Sequence, residues 1–230
     1  MNDQKKFAPS FDSTWDVIYG RREQLNRYPV DGVVSFLFRN RRMLATDRPL
    51  RVVEVGCGAC NNLWFAAREG CAVAGVDASA DAIAFGRERF AEEGLTGDLR
   101  VGDFTDLPFE DASFDVAINR AALTQTGLSS ARKAVDEVAR VLRPGGMFYN
   151  EIYGTRTTAD GTPGPDGVTT DIKGRLAGVG QICFYDRTAL EALFADAWAI
   201  RTLNHLELED CLADTPDIVG NWTLVVERTP

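Results

Sequence analysis

Short β-branched runs alternate with helical stretches through the middle of the chain. The runs predict strands over residues 51–55, 72–76, 99–101, 114–118 and 146–152. The stretches between them predict helices over residues 62–69, 79–93 and 130–142, with a loop over residues 103–113. Alternation of this kind is how a parallel sheet with crossover helices is encoded in a sequence.

Residues that favour helix ends mark the limits of these helices. Gly70 and Gly94 are placed to end the first two, and Ser79 can cap the second at its start. In the third, apolar positions recur on one side until Pro144, whose ring cannot continue a helix. The helix predictions therefore depend on periodicity and on end chemistry together.

Both flanks of this central region carry regular patterns as well. Before it, residues 13–20 and 29–43 predict two helices that cover the sheet, the second with Asp31 near its cap. After it, Asp186 caps a predicted helix ending at Phe194, and apolar runs predict two last strands over residues 199–208 and 222–227. We expect an α/β fold with a doubly wound, mostly parallel seven-stranded sheet and helices on both faces.

Residues 154–180 interrupt this regularity. They are rich in Gly, Thr, Pro and Asp and have no periodic apolar face, which predicts a lid or a disordered loop. We expect one domain over residues 1–230, a usual size for a single core. Its predicted parts are a helical cover (1–48), a ligand-binding core (49–153), a substrate loop (154–185) and a C-terminal helix with two strands (186–230).

Composition narrows the classes of partner. Hydrophobic residues make up 45% of the chain and charged residues 26%, as in a folded globular protein. The formal net charge of -9 would repel a phosphate backbone, so we expect no nucleic-acid partner. The sequence has neither the apolar run of a signal peptide nor the roughly 20 apolar residues that cross a bilayer. We therefore expect a cytoplasmic protein without a membrane partner.

The cysteines predict reduced thiols and no metal site. There are five of them, an odd number, scattered through a chain long enough to fold without disulfides. Cys57 and Cys60 have CxxC spacing, but no second cysteine pair or histidine pair accompanies them, and His205 is the single histidine. A zinc site is thus not expected.

The first candidate for chemistry is the segment EVGCGACN, which covers residues 54–61. A strand that ends in two glycines and opens a helix lets the backbone approach a nucleotide-like ligand, because no side chain intervenes. The same geometry serves NAD, FAD and S-adenosylmethionine (SAM). Asn61 occupies the position of the third glycine of dinucleotide-binding turns, which weakens the case for a pyrophosphate.

A carboxylate follows at the next strand end. Asp77 lies 19 residues after Gly58, close to the interval of about 20 at which an acidic residue reaches a ribose diol. Two hydroxyl donors suit one carboxylate, whereas a ribose phosphate would be repelled. The alternative is that Asp77 only caps the helix that follows it.

Four sequence blocks together resemble the class I SAM-dependent methyltransferases. They are VVEVGCG, VAGVDAS, GDFTDLPFEDASFDVAI and EVARVLRPGGMFYNE, which occur in this order over about residues 50–151. Their order and spacing are specific to that family, although no single block is. The resemblance implies SAM as cofactor, S-adenosylhomocysteine (SAH) as product, and methyl transfer as activity.

The resemblance also implies roles for individual residues. Glu54 is similar to the acidic residue that organises the methionine amino group, Asp77 to the ribose ligand, and Asp103 to the carboxylate that accepts from the adenine amino group. Phe104 would supply apolar contact to the adenine ring. The full set of cofactor residues expected from the resemblance is Glu54, Gly56, Cys57, Gly58, Asn61, Asp77, Ala78, Gly102, Asp103, Phe104, Asn119 and Arg120. For Asn119 and Arg120, an ordinary solvated strand end is the alternative.

A general base is needed only if the acceptor is a hydroxyl or a protonated amine. The candidates are His205, Glu151 and Tyr153. Glu151 and Tyr153 follow the fifth strand at the carboxyl edge, where α/β sheets bind ligands. His205 lies in a Leu-rich predicted strand, so a structural histidine is the stronger interpretation there.

The N-terminal region carries candidates for acceptor binding. Tyr19, Arg27 and Tyr28 combine aromatic and guanidinium groups, which suit a polar substrate, whereas Trp15 fits a core position equally well. The patterns WDVIY and LNRYP resemble methyltransferases associated with bacterial surface-polysaccharide pathways. Arg39, Arg41 and Arg42 are interpreted as a solvated helix face.

The sequence thus predicts SAM-dependent O- or N-methylation of a small polar metabolite, with a sugar or a surface-polysaccharide precursor as the candidate acceptors. We expect a monomer or a homodimer. Two alternatives stay open: a nucleotide-dependent oxidoreductase, and a catalytically silent SAM-binding regulatory protein.

Overall fold

A seven-stranded sheet organises the protein in the computed structural model, which describes residues 10–40, 44 and 47–230. The described strands are β1 (Arg51–Val55), β2 (Ala72–Asp77), β3 (Asp98–Val101), β4 (Phe114–Arg120), β5 (Leu142–Tyr153), β6 (Thr162–Pro163), β7 (Val168–Thr170), β8 (Ile182–Cys183), β9 (Trp198–Glu209) and β10 (Ile218–Arg228). The described α-helices are α1 (Thr14–Gly20), α2 (Asp31–Asn40), α3 (Asn61–Arg68), α4 (Ala80–Glu92), α5 (Leu128–Val141) and α6 (Arg187–Leu193).

The strand order confirms the predicted fold class. The large sheet runs β3-β2-β1-β4-β5-β10-β9. Strands β1 to β5 pair in parallel, whereas β10 is antiparallel to both β5 and β9. Because parallel strands end at one edge, the carboxyl ends of β1, β2, β3 and β4 converge there, on both sides of the point where the strand order reverses.

Helices cover both faces of this sheet. On one face, α2, α3 and α4 pack apolar side chains such as Phe36, Leu63 and Ile83 against strand residues including Val52 and Val116. On the other, α5 and α6 pack against the alternate strand positions, among them Val53 and Ala117. Alternation of inward-facing residues thus gives two cores, as strands buried on both sides require.

The predicted helix ends are confirmed. The Ser79 Oγ accepts from the Ala82 N–H at 3.5 Å, and Asp186 accepts from the Ala189 N–H at 2.7 Å. Gly70 and Gly94 adopt positive φ angles of 84° and 66° at the ends of α3 and α4, where an L side chain would be strained.

Most described element bounds lie within two residues of the sequence prediction, such as the start of helix α5 at Leu128 rather than 130, whereas the starts of β5 and β10 differ by four. Strand β5 starts at Leu142 rather than 146, because Pro144 disfavours a helical conformation for the residue before it. Strand β10 begins at Ile218 rather than 222, since its first residues pair with β9 although Gly220 and Asn221 break the apolar pattern. Each change extends backbone pairing beyond the apolar run.

Of the two alternatives predicted for residues 154–180, a lid or a disordered loop, the structure contradicts disorder. Strands β6, β7 and β8 form a small antiparallel sheet, in which Val168 and Ile182 are buried. Asp166 accepts a hydrogen bond from the Ser129 N–H at 3.1 Å at the start of α5. Scattered apolar residues and a distant helix start supply the order, and neither produces a local periodic signal.

Both predicted N-terminal helices are present, although α2 starts at Asp31 rather than at residue 29. Val33, Phe36 and Leu37 of α2 are buried against the sheet, and Arg39 is exposed. The predicted end of this helix at residue 43, together with Arg41 and Arg42 of the basic cluster, lies outside the described residues. The longest described helix, α5, has 14 residues, and no helix in the described part of the chain has the length and apolarity to span a membrane.

A buried carboxylate lies near the amino-terminal ends of the strands, opposite the carboxyl edge of the sheet. Asp115 of β4 is fully buried and accepts from Arg48 at 2.7 Å, from Arg143 at 2.7 Å and from the Arg51 N–H at 2.8 Å. Burial raises the pKa of Asp115, but these hydrogen bonds outweigh burial and leave the pKa below its ordinary value. The ionised form is thus the one that the fold stabilises.

We predict that Asp115→Asn lowers the free energy of unfolding at pH 7 by about 1.5 to 3 kcal/mol, the scale of hydrogen bonds to charged groups. Because the pKa is lower in the folded state, the stabilisation is present above the unfolded pKa and is lost as the pH falls. Urea denaturation of both proteins should therefore show a difference at pH 7 that shrinks towards pH 3.

Asp111→Asn is the matched control, since Asp111 also pairs with an arginine but its side chain is 77% exposed. It should cost less than about 1 kcal/mol, as surface pairs do. Equal losses for the two variants would contradict a special role for the buried carboxylate.

Candidate functional site

The turn after β1 depends on two glycines. Gly56 and Gly58 have φ angles of 63° and 49°. A Cβ on Gly56 would lie 2.2 Å from the Ala122 Cβ, and one on Gly58 would lie 2.5 Å from the Tyr19 hydroxyl. Both contacts are closer than real Cβ atoms allow, so the predicted close approach of the backbone is a property of the fold.

A cavity of about 390 Å³ opens above this turn at the carboxyl edge of the sheet. It is lined by strand ends, by the start of α3 and by N-terminal segments that lie over them. Of the predicted cofactor residues, the cavity is lined by Glu54, Gly56, Cys57, Gly58, Asn61, Asp77, Ala78, Phe104 and Arg120. Gly102, Asp103 and Asn119 are not among its lining residues.

Glu54 is the least satisfied polar group of the site. Its side chain is 2% exposed, and its Oε1 accepts from the Asn62 Nδ2 at 2.7 Å. Its Oε2 is buried without a hydrogen-bond partner among the described residues. Burial raises the pKa of Glu54 to about 8, against an ordinary value of 4.5. A cationic ligand group would complete this site.

Asp77 ties the glycine turn to β2. Its carboxylate accepts from the Gly58 N–H at 2.8 Å and from the Ser79 N–H at 2.9 Å. Burial raises the pKa of Asp77, and these two hydrogen bonds oppose the rise. Each oxygen retains acceptor capacity beyond its backbone bond, so Asp77 can shape the turn and still bind hydroxyl groups.

Arg120 brings a positive charge to the same cavity. Its Nε lies 3.4 Å from Glu151 Oε2, and Glu151 Oε1 accepts from the Tyr149 hydroxyl at 2.6 Å. Within the described part of the chain, Glu151 is the partner that the structure gives this guanidinium. The side chain of Arg120 is 47% exposed. Its planar fork suits a carboxylate or another oxyanion.

Asn119, in contrast, has an internal role. It is fully buried, accepts from the Leu123 N–H at 3.1 Å, and donates to Asn150 at 3.2 Å. It therefore fixes the short helical segment that follows β4, and it is not a lining residue of the cavity.

On the β3 side, Asp103 is engaged by the N-terminal segment. Its Oδ2 accepts from the Ser10 hydroxyl at 2.6 Å, and its Oδ1 accepts from the Thr105 N–H at 2.8 Å. Burial raises the pKa of Asp103, but these hydrogen bonds outweigh it and lower the pKa overall. Phe104, the next residue, lines the cavity.

The two cysteines of the turn are packed together. The sulfur atoms of Cys57 and Cys60 are 3.6 Å apart, and both residues are buried. The hydrogen bond with Cys60 and burial raise the pKa of the Cys57 thiol. Among the described residues, no histidine, cysteine or carboxylate completes a metal-binding group with them.

All three predicted acceptor-binding residues line the cavity. Tyr19 of α1 lies over Gly58, and burial raises the pKa of its phenol above the ordinary value. Arg27 and Tyr28 come from the connection between α1 and α2, which Asn61 holds through a 2.8 Å bond from its Nδ2 to the Tyr28 carbonyl. Trp15 lines the cavity too, and its indole N–H donates to Gln125.

The three candidate bases occupy different environments. Tyr153 lines the cavity. Glu151 is not a lining residue and contacts the cavity through Arg120. His205 lies away from the lining: its ring packs against Trp222 with a centroid distance of 4.3 Å, and its Nδ1 is 3.3 Å from Glu207.

Sequence reasoning missed several residues that shape the site. Asn62 holds Glu54 and accepts from the Val30 N–H at 3.0 Å, and Phe11, Asp12 and Gln125 line the cavity. A second polar residue at the start of α3, next to Asn61, was the available signal for Asn62. The other three carry no local signal, because their partners are distant in sequence.

Part of the chain is similar in sequence to known methyltransferases. Residues 52–146 match the family described as "Methyltransferase domain". A fatty-acid O-methyltransferase from Mycolicibacterium smegmatis is 36% identical over 130 residues, which cover 55% of this chain and 43% of that protein. A sarcosine/dimethylglycine N-methyltransferase from Aphanothece halophytica is 33% identical over 109 residues, covering 46% of this chain and 37% of that protein. The chain thus spans less than half the length of these curated relatives.

A solved structure supports the fold over almost the whole chain. It is that of the Burkholderia thailandensis 1,6-didemethyltoxoflavin-N1-methyltransferase, which contains 1,6-didemethyltoxoflavin and SAH. The TM-score is 0.69 at 13% identity, and the match covers 95% of this chain and 87% of that one. At this identity the likeness shows the fold.

We predict that ionisation of Glu54 destabilises the ligand-free protein. Its pKa is about 8 when folded and near the ordinary 4.5 when unfolded. Its contribution to stability is therefore full below pH 4.5 and is lost as the pH rises towards 8. As the pH is raised from 5 to 9, the free energy of unfolding of Glu54→Gln should rise relative to that of the natural protein by about 2 kcal/mol or more, at 1.36 kcal/mol per pKa unit. Denaturation of both proteins at each pH measures this difference.

Glu110→Gln, at an exposed position, is the control and should follow the natural profile. A constant difference between Glu54→Gln and the natural protein across this pH range would show that Glu54 does not titrate there.

Proposed function

We propose that this member of the class I SAM-dependent methyltransferase family transfers the methyl group of SAM to an oxygen or nitrogen atom of a small polar acceptor. The observation that carries the proposal is that one cavity is lined both by Glu54, a buried carboxylate with one oxygen unpartnered, and by the guanidinium of Arg120. The methyltransferase domain at residues 52–146 supports the same conclusion.

These two groups fit the amino-acid end of SAM. The ammonium group would bind the open Oε2 of Glu54, and the carboxylate would bind the fork of Arg120. The glycine turn directly follows β1, and Gly56 and Gly58 line the same cavity as Glu54 and Arg120. We propose Gly56, Cys57, Gly58 and Asn61 as the remaining residues of this subsite.

The adenosine end would lie towards β2 and β3. Asp77, which closes β2, is proposed to accept from the ribose hydroxyls, with Ala78 beside it. Phe104 would contact the adenine ring, and Asp103 with Gly102 would form the polar rim on the β3 side. Asn119 is assigned a supporting role, because its contacts fix the residues next to Arg120.

SAM supplies a methyl group on a positively charged sulfur, which leaves when a nucleophile attacks from the opposite side. The protein's contribution is alignment, worth as much as about 7 to 11 kcal/mol when the acceptor atom is held in line. Trp15, Tyr19 and Gln125 enclose the space above the turn and reduce its access to water. Of the three candidate bases, Tyr153 is the one that lines this space, and we propose that it contacts the acceptor.

The acceptor side favours a small polar molecule. Its lining combines aromatic surfaces with amide and guanidinium groups, namely Trp15, Tyr28, Arg27, Asn26 and Gln125. Aromatic faces with hydrogen-bonding neighbours suit a sugar ring or a comparable metabolite, such as a surface-polysaccharide precursor. The net charge of -9 disfavours a nucleic acid. We further propose a cytoplasmic location and a monomer or homodimer.

We predict a division of binding energy along the cofactor, which calorimetry with SAH and with 5′-methylthioadenosine can test. The second compound has the adenosine part but no amino-acid end. Glu54→Gln and Arg120→Gln should each weaken SAH by roughly 1.5 to 3 kcal/mol, the scale of hydrogen bonds to charged groups, and leave 5′-methylthioadenosine unchanged. Asp77→Ala should weaken both ligands.

Arg39→Gln, an exposed position outside the cavity, serves as the control. Methyl transfer from SAM labelled in its methyl group, with a panel of sugars and other polar metabolites, would test the activity itself. Failure of the natural protein to bind SAH, together with retention of a nicotinamide dinucleotide, would overturn the proposal.

A further inference from the structure

Residues 10–12 line the cavity and are hydrogen-bonded at both ends; we call these three residues the strap. At its first residue, the Ser10 hydroxyl donates to Asp103 Oδ2 at 2.6 Å. At its last, Asp12 Oδ2 accepts from the Gln181 N–H at 2.7 Å, in the segment before β8. The strap is thus bonded to two segments that are remote from it and from each other in sequence.

The middle residue of the strap, Phe11, lines the cavity, as Phe104 does. Ser10 and Asp103 precede these two residues and are hydrogen-bonded to each other, so the segments that carry the two rings lie next to each other at the cavity. Two aromatic rings on adjoining segments at the β3 side suit a flat, apolar heteroaromatic group between them.

We propose that Phe11 is a cofactor-binding residue that packs on the adenine ring, and that the strap closes over the bound cofactor. This inference follows from the proposed function, since it assigns a further contact in the same site. Ser10 anchors the strap to Asp103, and Asp12 anchors it to the acceptor-side segment.

The second anchor links the two halves of the site. Asp12 Oδ1 also accepts from the Thr14 N–H at 2.9 Å at the start of α1. Trp15, one residue further, donates to the Gln125 side chain at 3.2 Å, and the Gln181 side chain donates to the Gln125 carbonyl at 2.9 Å. The strap, α1 and the segment before β8 therefore form one hydrogen-bonded roof.

This roof has a kinetic consequence. A cofactor under Phe11 can leave only after the strap moves, which breaks the bonds of Ser10 and Asp12. Removing an anchor should therefore raise the dissociation rate of the cofactor and leave the contacts between Phe11 and the cofactor in place. Removing the Phe11 ring should instead weaken the contact to adenine directly.

The first experiment is calorimetry on Phe11→Ala with SAH and with 5′-methylthioadenosine. Both ligands carry adenine, so both should lose affinity by the same factor, about tenfold for one lost aromatic stacking partner. Phe11→Tyr should retain most of the affinity. Phe38→Ala, which removes a half-exposed phenylalanine of α2 outside the cavity, is the matched control and should bind both ligands as the natural protein does.

The second experiment measures SAH release by stopped-flow tryptophan fluorescence, with Trp15 as a reporter in the roof. Ser10→Ala and Asp12→Ala should each raise the dissociation rate of SAH about fivefold to tenfold, on the scale of one lost hydrogen bond. The association rate should change less. Thermal unfolding of each ligand-free variant checks that the fold is retained.

The possible outcomes separate the two proposals. If the natural protein binds SAH and Phe11→Ala binds both ligands equally well, the strap proposal is wrong and the proposed function stands. A loss confined to SAH would also overturn it, because Phe11 would then contact the amino-acid end. If the natural protein binds neither ligand, both proposals fall together.

Discussion

The close approach of the backbone after β1 is the constraint on which the site depends. Gly56 passes under Ala122 and Gly58 under Tyr19, with no room for a side chain at either position. Asp77 holds the turn in place through the Gly58 N–H at 2.8 Å, so the end of β2 fixes the end of β1. This arrangement leaves an open space at the carboxyl edge, bordered by the carboxylates of neighbouring strands.

The same edge contains a conflict between folding and binding. Glu54 is buried with one oxygen unpaired, and its pKa of about 8 shows that the ligand-free fold favours the protonated form. Binding an ammonium group requires the ionised form. A cationic ligand therefore supplies the partner that the protein lacks, and its binding is coupled to loss of a proton from the site. Asp115, at the other edge, has three donors within the chain and stabilises the fold without a ligand. Of the two buried carboxylates in this sheet, ionised Asp115 thus stabilises the ligand-free fold, whereas ionised Glu54 destabilises it.

Most of the core could be predicted from the sequence, but little of the roof could. Strands β1 to β5 were predictable because buried parallel strands are continuous apolar runs, and α4 and α6 because Ser79 and Asp186 cap them. Asp77 was predictable from its spacing to the glycine turn, and Glu54 and Phe104 from the resemblance to the class I methyltransferases; the structure brings all three to one cavity. Residues 154–180 were not predictable, since their order depends on contacts such as Asp166 with Ser129, 37 residues away. The strap escaped detection for the same reason: Ser10 and Asp103 are 93 positions apart.

The strand ends were more predictable than the roof for a structural reason, which also bears on specificity for the acceptor. A cofactor bound at strand ends is contacted by residues whose positions the sheet fixes, so local motifs suffice to identify them. The rest of the cavity lining includes Trp15, Tyr28, Gln125, Tyr153 and Val179, which come from five separate segments. No short motif can encode such a surface, and its segments can change without disturbing β1 to β4. The matched relatives act on fatty acids and on sarcosine or dimethylglycine, yet the matches cover only about half of this chain. Proteins named for such different acceptors can thus match the same part of one chain, as is general where function depends on sites carried by a common fold.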